Sequence, residues 1–282
     1  VAHSMSPAIF NAAFEAAGVD ALYVPILLDG GYAEFAEFMD SVAGRQIDAD
    51  YGFRGFSVTI PHKGNAMEYL DGKGDTVEGA AAAIGAVNTI KVGYHGMLSG
   101  CNTDCAGAID ALTSAMRIDP HGLHNAEVAV IGAGGVARAV VAGLVDVGAR
   151  VTIYNRTRAK TDDLAAEFHA HAAPLAQLPA LQAEVIVNCT SIGMHPNTEA
   201  SPIPPEVLRP GMTVFDTVYN PLHTRLLRDA RAAGATAVPG VEMFVRQAIA
   251  QYRIWLNAEP DEKIIRKILH KSLAQPDSGT IE

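Results

Sequence analysis

Val128-Ala129-Val130-Ile131-Gly132-Ala133-Gly134-Gly135-Val136-Ala137 is the stretch that sets the fold of this chain. Four apolar residues make a short strand, the glycines make a tight turn, and the segment Arg138 to Val147 that follows has helix-forming composition. A glycine string of this kind is weak alone. Placed after a strand and at the head of a helix, it becomes a mechanism: Gly132 permits the turn, Gly134 lets the backbone approach a pyrophosphate, and Ala137 is small enough for close helix–strand packing. The first amides of the helix then face phosphate charge. Gly132, Ala133, Gly134, Gly135, Val136 and Ala137 are therefore expected to bind a dinucleotide.

The next strand selects which dinucleotide. About 20 residues beyond the glycines an NAD site places Asp or Glu on the ribose 2′-hydroxyl. This chain reads Tyr154-Asn155-Arg156-Thr157-Arg158-Ala159-Lys160 there. A carboxylate would repel a 2′-phosphate, whereas Arg156 can pair with one through its planar fork and Thr157 can donate to it. The expected cofactor is NADP, held on this side by Asn155, Arg156, Thr157 and Lys160.

Working outward, apolar runs at Val151–Tyr154, Val185–Asn188 and Thr213–Asp216 repeat the strand, turn and helix alternation of a parallel α/β sheet. The same grammar is read upstream: a helix over Ala8–Ala17 with Pro7 ahead of it and Gly18 behind, a strand over Ala21–Leu27, a helix over Tyr32–Ala43 and a short strand over Gly55–Ile60 ended by Pro61. Asp104–Met116 reads as a helix between two blocks, and Val241–Leu256 and Glu262–Leu273 as helices with no strand to follow. The fold class expected is α/β with two domains and a cleft between them. Residues 1–104 form a substrate-binding catalytic domain, 105–240 a Rossmann NADP-binding domain, and 241–282 helices returning to the first domain, with a frayed end over Gln275–Glu282.

Composition bounds the function. The 282 residues are 49% apolar and 18% charged, as in a folded globular chain of two domains. The formal net charge of −10 and pI near 5.4 exclude a chain built to neutralise nucleic-acid phosphates. Three cysteines with no Cys-x-x-Cys pair suggest no disulfide framework and a reducing, cytoplasmic compartment. No metal is expected, since His169 and His171 stand two apart on a helical pattern and face different ways. No run reaches the roughly 18 apolar residues of a membrane span. The chain opens at Val1 instead of Met, which raises the expectation that an opening strand or a fused partner has been removed.

In the first block, Ser4 and Ser6 of His3-Ser4-Met5-Ser6-Pro7 precede a helix and could cap it. Gly55-Phe56-Ser57-Val58-Thr59-Ile60-Pro61-His62-Lys63 delivers Thr59 and Lys63 to the end of a strand, where open α/β sheets bind ligands. Gly85-Ala86-Val87-Asn88-Thr89-Ile90 and Gly100-Cys101-Asn102-Thr103-Asp104 add an amide and a carboxylate among small residues.

Together with the Asn-Arg-Thr turn and with Gly240 and Gln247, these strings resemble shikimate dehydrogenases over nearly the whole chain. The resemblance implies reversible reduction of 3-dehydroshikimate to shikimate with NADPH. Carried over by position, it implies that Ser4, Ser6, Thr59, Asn88, Asp104, Tyr219 and Gln247 hold the substrate, and that Lys63 and Asp104 are the catalytic pair. It adds Thr190, Gly240 and Met243 to the cofactor residues. Ser57, where most bacterial members carry Asn, and Phe244, where they carry Leu or a similar residue, depart from the pattern. They look like the dehydrogenase half of fused dehydroquinate dehydratase–shikimate dehydrogenase proteins. A fused dehydratase or a homodimer is thus among the expected partners.

Reducing a ketone requires a proton at oxygen as hydride reaches carbon, so one proton donor must lie within reach of that oxygen. Lys63 fits this role, with Asp104 holding it in position and Asn102 and Thr103 orienting Asp104. Quinate and aminoshikimate dehydrogenases would share Lys63 and Asp104 and differ around Ser57, Thr59 and Tyr219. A non-catalytic metabolite sensor on the same scaffold would have no need of the proton donor.

Overall fold

The computed structural model describes residues 4–43, 52–180 and 182–274. The expected fraying over Gln275–Glu282 and the opening at Val1 lie outside the described residues. The chain divides into two compact units, Val1–Thr103 with Gln247–Glu282, and Asp104–Arg246. The sequence placed these divisions at 104/105 and 240/241.

In the first unit, helix α1 (Ser6–Ala17) starts two residues earlier than the apolar spacing indicates and carries Pro7 in its first turn, where the missing N–H costs nothing. Ile9, Phe10, Ala13 and Phe14 make its buried face. The strand expected over Ala21–Leu27 is absent: the segment joins no sheet. Its apolar content is genuine, yet Leu22, Val24, Ile26 and Leu27 are exposed, and the Asn11 side chain takes both backbone groups of Tyr23 that a neighbouring strand would have used.

Helix α2 (Tyr32–Ala43) follows, then β1 (Gly55–Ser57), α3 (Lys63–Lys73), β2 (Thr76–Val77), α4 (Gly79–Ile84), β3 (Thr89–Val92) and β4 (Leu98–Cys101). The sheet order is β1-β3-β4-β2, and only β2 with β4 is parallel. Parallel grammar therefore fails in this unit. The connection at residues 93–97 is too short to cross over and makes an antiparallel hairpin of β3 and β4. Met39, Val58, Ala66, Leu70, Ile90 and Leu98 fill the core between this sheet and its helices.

The second unit follows the doubly wound plan. After α5 (Thr103–Met116) come β5 (Glu127–Ile131), α6 (Gly135–Asp146), β6 (Arg150–Asn155), α7 (Arg158–Phe168), β7 (His171–Pro174), β8 (Val185–Asn188), β9 (Thr213–Asp216), α8 (Arg225–Ala232) and β10 (Thr236–Pro239). All six strands are parallel in the order β10-β9-β8-β5-β6-β7. The chain winds outward from β5 to β7 and restarts at β8 on the other side of β5. Such a reversal opens a crevice beyond the strand ends of β5 and β8. Both edge strands, β7 and β10, are four residues long and finish on proline. The reading of His169 and His171 as helix neighbours is corrected: His169 ends α7 in a left-handed conformation and His171 opens β7.

Val140, Val141 and Leu144 of α6 are fully buried, worth about 1.5–3 kcal/mol each. At Gly143 the helix comes so near α5 that an added Cβ would stand 2.9 Å from the Cys105 sulfur.

Helix α9 (Gly240–Leu256) begins in the second unit and enters the first at Gln247; α10 (Glu262–Ala274) lies wholly in the first and packs on α1. Within the first unit α9 is tied to the sheet by polar contacts. Trp255 Nε1 donates to the Ile90 carbonyl (3.0 Å), and Gly55 leaves room for that indole. The C-terminal helices thus return to the first domain, as expected. No helix among the described residues is long and apolar enough to cross a membrane.

Candidate active site

In the second unit the glycine turn closes the end of β5. Gly132 has φ +113°, a conformation that side chains rarely adopt, and its Cβ would stand 3.1 Å from the Cys189 carbonyl and from Thr190 Cγ2. Gly134 is extended and caps α6, and no heavy atom lies within 4 Å of where its Cβ would be. That open side, with Ala137 fully buried beneath, leaves the head of a twelve-residue helix free to take an anion.

Beyond β6, Arg156, Thr157 and Lys160 are exposed, and Asn155 braces the turn by donating to the Thr157 carbonyl (3.2 Å). The neighbouring Arg158 is occupied by Asp162 (3.1 Å). Arg156 and Lys160 have no carboxylate partner among the described residues and are left open. Lys160 also borders a shallow depression of about 290 Å³ with Gly134, Arg138 and Glu167, where Arg138 and Glu167 form a bidentate ion pair.

At the ends of β8 and β9 lies a buried polar cluster that the sequence reading missed. Asp216 is fully buried and accepts from Thr224 Oγ1 (2.6 Å), Asn188 Nδ2 (2.9 Å) and the Val218 amide (3.1 Å). Burial pushes its carboxyl above the usual carboxylate value. Asn188 Oδ1 in turn accepts from the hydroxyl (2.7 Å) and amide (3.0 Å) of Thr190. The available signal was a polar residue ending two apolar runs, Val-Ile-Val-Asn and Thr-Val-Phe-Asp.

Gly240 sits where α9 meets the loop after β9: a Cβ there would stand 2.6 Å from the carbonyl oxygens of both Thr217 and Val218. Met243, one turn on, is buried. Tyr219 is 41% exposed, with its ring 5.7 Å from that of Phe244. Asp104 stands in the first turn of α5.

The first unit holds Ser4, Ser6, Thr59, Lys63, Asn88 and Gln247. Neither serine is the N-cap of α1. Met5 takes that place, while Ser4 Oγ accepts the Ser6 amide (3.3 Å). The Thr59 carbonyl accepts the His62 amide, making the turn around Pro61 that leads into α3. Lys63 is the first residue of α3, and its carbonyl accepts the Val87 amide (3.0 Å), which joins this helix start to the segment that carries Asn88 and leads into β3 at Thr89.

Asn88 is buried. Its Oδ1 accepts the Thr103 amide (2.8 Å) and the Thr89 hydroxyl (2.8 Å), and its Nδ2 donates to Thr103 Oγ1 (3.0 Å), which leaves one amide hydrogen for another acceptor. Asn102 Nδ2 donates to the Ala86 carbonyl (3.0 Å). Gln247 is half-buried, one helical turn before Gln251, which the sequence reading passed over although i, i+4 spacing puts both on one face. Lys63 and Asp104 belong to different units, as do Gln247 and Tyr219.

Comparison with known proteins places each segment. The family description "Shikimate dehydrogenase substrate binding domain" matches residues 1–90, "Shikimate / quinate 5-dehydrogenase" matches 114–199, and "Shikimate 5'-dehydrogenase C-terminal domain" matches 240–270. A shikimate dehydrogenase (NADP(+)) of Methanosarcina mazei is 39% identical over 282 residues, covering 97% of this chain and 95% of that protein. The chloroplastic bifunctional 3-dehydroquinate dehydratase/shikimate dehydrogenase of Arabidopsis thaliana is 38% identical, over 96% of this chain and 45% of that protein. Among solved structures, the shikimate 5-dehydrogenase of Thermus thermophilus in complex with NADP(H) and shikimate superposes with a TM-score of 0.79 at 34% identity, covering 97% of this chain and 96% of that one. With three consecutive family segments and this likeness along its whole length, the chain belongs to the shikimate dehydrogenase family.

Proposed function

We propose that this protein is an NADP-dependent shikimate dehydrogenase, an oxidoreductase that interconverts 3-dehydroshikimate and shikimate. The observation that carries the reading is the second unit's phosphate ground: an open Gly134 at the head of α6 with an unpaired Arg156 beyond β6. That pairing fits a dinucleotide with a 2′-phosphate. The Methanosarcina and Thermus relatives, named for NADP and shikimate, support the same cofactor and substrate.

NADP(H), when bound, supplies or takes the hydride. The chain's own residues bind and move the proton. Gly132 to Ala137 receive the pyrophosphate; Asn155, Arg156, Thr157 and Lys160 receive the 2′-phosphate; Thr190, Gly240 and Met243 border the reacting end. Ser4, Ser6, Thr59, Asn88, Tyr219 and Gln247 orient the hydroxylated ring acid, with the serines meeting its carboxylate as neutral donors. Lys63 gives a proton to the ketone oxygen in reduction and takes it back from the hydroxyl in oxidation, and Asp104, the other member of the catalytic pair, binds substrate.

NADPH formation with shikimate, repeated with quinate and with NAD, tests the assignment. Turnover with shikimate and NADP is expected, and faster turnover of quinate with NAD would overturn it. Three free cysteines support a cytoplasmic setting. The likeness to the Arabidopsis bifunctional protein supports a fused dehydratase as partner, which the size of the natural polypeptide would test; sedimentation tests a homodimer.

A further inference from the structure

Helix α9 carries Gln247, Gln251 and Trp255 one turn apart, and hence on one face. Within the first unit two of these three pin the helix to the sheet. Trp255 donates its indole N–H to the Ile90 carbonyl (3.0 Å). Gln251 is fully buried, and its Nε2 donates to side chains of two different strands, Ser57 Oγ of β1 (3.1 Å) and Thr89 Oγ1 of β3 (2.9 Å). Both Nε2 hydrogens are thereby used. Gln251 Oε1 is buried with no partner among the described residues.

A side chain that only filled this space would be more stable as an apolar one, because a buried carbonyl oxygen without a donor carries a desolvation penalty. What the carboxamide contributes is its two donated bonds, and the one to Thr89 sets a direction. Nε2 can only donate, so the Thr89 oxygen accepts there and its single proton goes to Asn88 Oδ1 (2.8 Å). The Thr103 amide reaches the same Asn88 oxygen, also at 2.8 Å, and Asn88 Nδ2 donates to Thr103 Oγ1 (3.0 Å). With its carbonyl oxygen taken twice and one N–H used, Asn88 has one N–H left to offer.

A hydroxyl with no donor beside it turns about its C–O bond. The Gln251 hydrogen blocks the orientation in which the Thr89 proton would point away from Asn88. Every member of this chain of bonds, from Gln251 through Thr89 to Asn88 and Thr103, lies in the first unit.

We propose that Gln251 is a positioning residue for substrate recognition: by occupying the Thr89 oxygen it keeps the Thr89 proton on Asn88, and so holds Asn88 with one N–H presented to an acceptor oxygen of the ring acid. This rests on the shikimate reading above, in which Asn88 touches substrate. Gln251 acts only through Thr89, since its own free oxygen is closed to solvent.

Gln251→Met keeps the length of the side chain and removes the amide. Its KM for shikimate should rise about fivefold, the size of one neutral hydrogen bond, with kcat within about twofold and KM for NADP unchanged. Thr89→Val, which keeps the shape and removes the hydroxyl, should raise KM to a similar extent, whereas Thr89→Ser should stay within about twofold of wild type. In the double variant Gln251→Met with Thr89→Val, KM should exceed the larger single effect by less than about twofold, because both changes break one path. Trp255→Phe removes the other pin between α9 and the sheet, one that does not lead to Asn88. It should lower the thermal midpoint about as much as Gln251→Met and leave KM for shikimate within about twofold. An unchanged KM in Gln251→Met, an equal rise in Trp255→Phe, or multiplied effects in the double variant overturns the proposal. If Gln251→Met does not fold, an unchanged KM in Thr89→Val does so. Wild-type protein inert toward shikimate refutes the functional reading instead, so the two failures are distinguishable.

Discussion

The same substitution at two glycines should damage two different properties. At Gly240 a Cβ would sit 2.6 Å from two carbonyl oxygens, about 0.4 Å inside the 3.0 Å limit that real Cβ atoms respect. Those carbonyls cannot yield easily. The Thr217 amide and hydroxyl both donate to the Asn188 carbonyl, and the Val218 amide donates to Asp216. Gly240→Ala must therefore displace the head of α9, at an overpacking cost of about 1–3 kcal/mol. At roughly 2–4 °C per kcal/mol, the thermal midpoint of the free protein should fall by about 2–12 °C. At Gly134 the backbone is extended and the Cβ meets nothing, so Gly134→Ala should move the midpoint by less than about 2 °C. Its methyl would instead occupy the space that a pyrophosphate needs, and NADP affinity by calorimetry should drop at least about tenfold. A normal midpoint for Gly240→Ala, or wild-type NADP affinity for Gly134→Ala, would refute this reasoning.

Further outcomes follow from the same sites. Arg156→Ala should lower kcat/KM for NADP about 10- to 100-fold, the worth of one charge-assisted contact, and leave NAD within about threefold; equal losses on both cofactors would remove Arg156 from the 2′-phosphate. Lys63→Ala should reduce kcat by about 10²-fold or more with little change in shikimate affinity, and retained turnover would end its role as proton donor. Asp216→Asn probes pH. Burial raises the folded carboxyl above its ordinary 3.8, so the native state holds this proton more tightly than the unfolded chain. Wild-type stability should therefore decline as pH rises from about 4 through that raised value, then level off. Asp216→Asn should be less stable by about 1–3 kcal/mol at neutral pH and lack that component of the decline. Urea unfolding at pH 4 to 8 checks both, and parallel curves for the two proteins would contradict the sign.

What was legible in the sequence was what local constraint dictates. Gly132 must bend and Ala137 must be small whatever surrounds them, and the runs ending in Ile131, Tyr154, Asn188 and Asp216 are apolar because central parallel strands are buried on both faces. Edge strands lack that pressure, so His171–Pro174 and Thr236–Pro239 carry too little apolar content to be seen. The hairpin of β3 and β4 hid among small and polar residues. The opposite error, a strand over Ala21–Leu27, came from an apolar run with no neighbouring strand to pair with. In the first unit the candidate residues were recognised by family resemblance, not by spacing. Gln251 and Asp216 escaped because their polar partners lie far along the chain, at Ser57 and Asn188.

The two prolines that finish β7 and β10 have a consequence for how the molecule behaves in a crowded solution. A six-strand parallel sheet has two open flanks, each a potential template for a stray strand from another polypeptide. Here both flanks are only four residues deep, and each ends on a residue with no N–H to offer. The sheet is therefore blunted against lateral growth on both sides, and a nascent or heat-stressed copy finds little there on which to nucleate an aggregate.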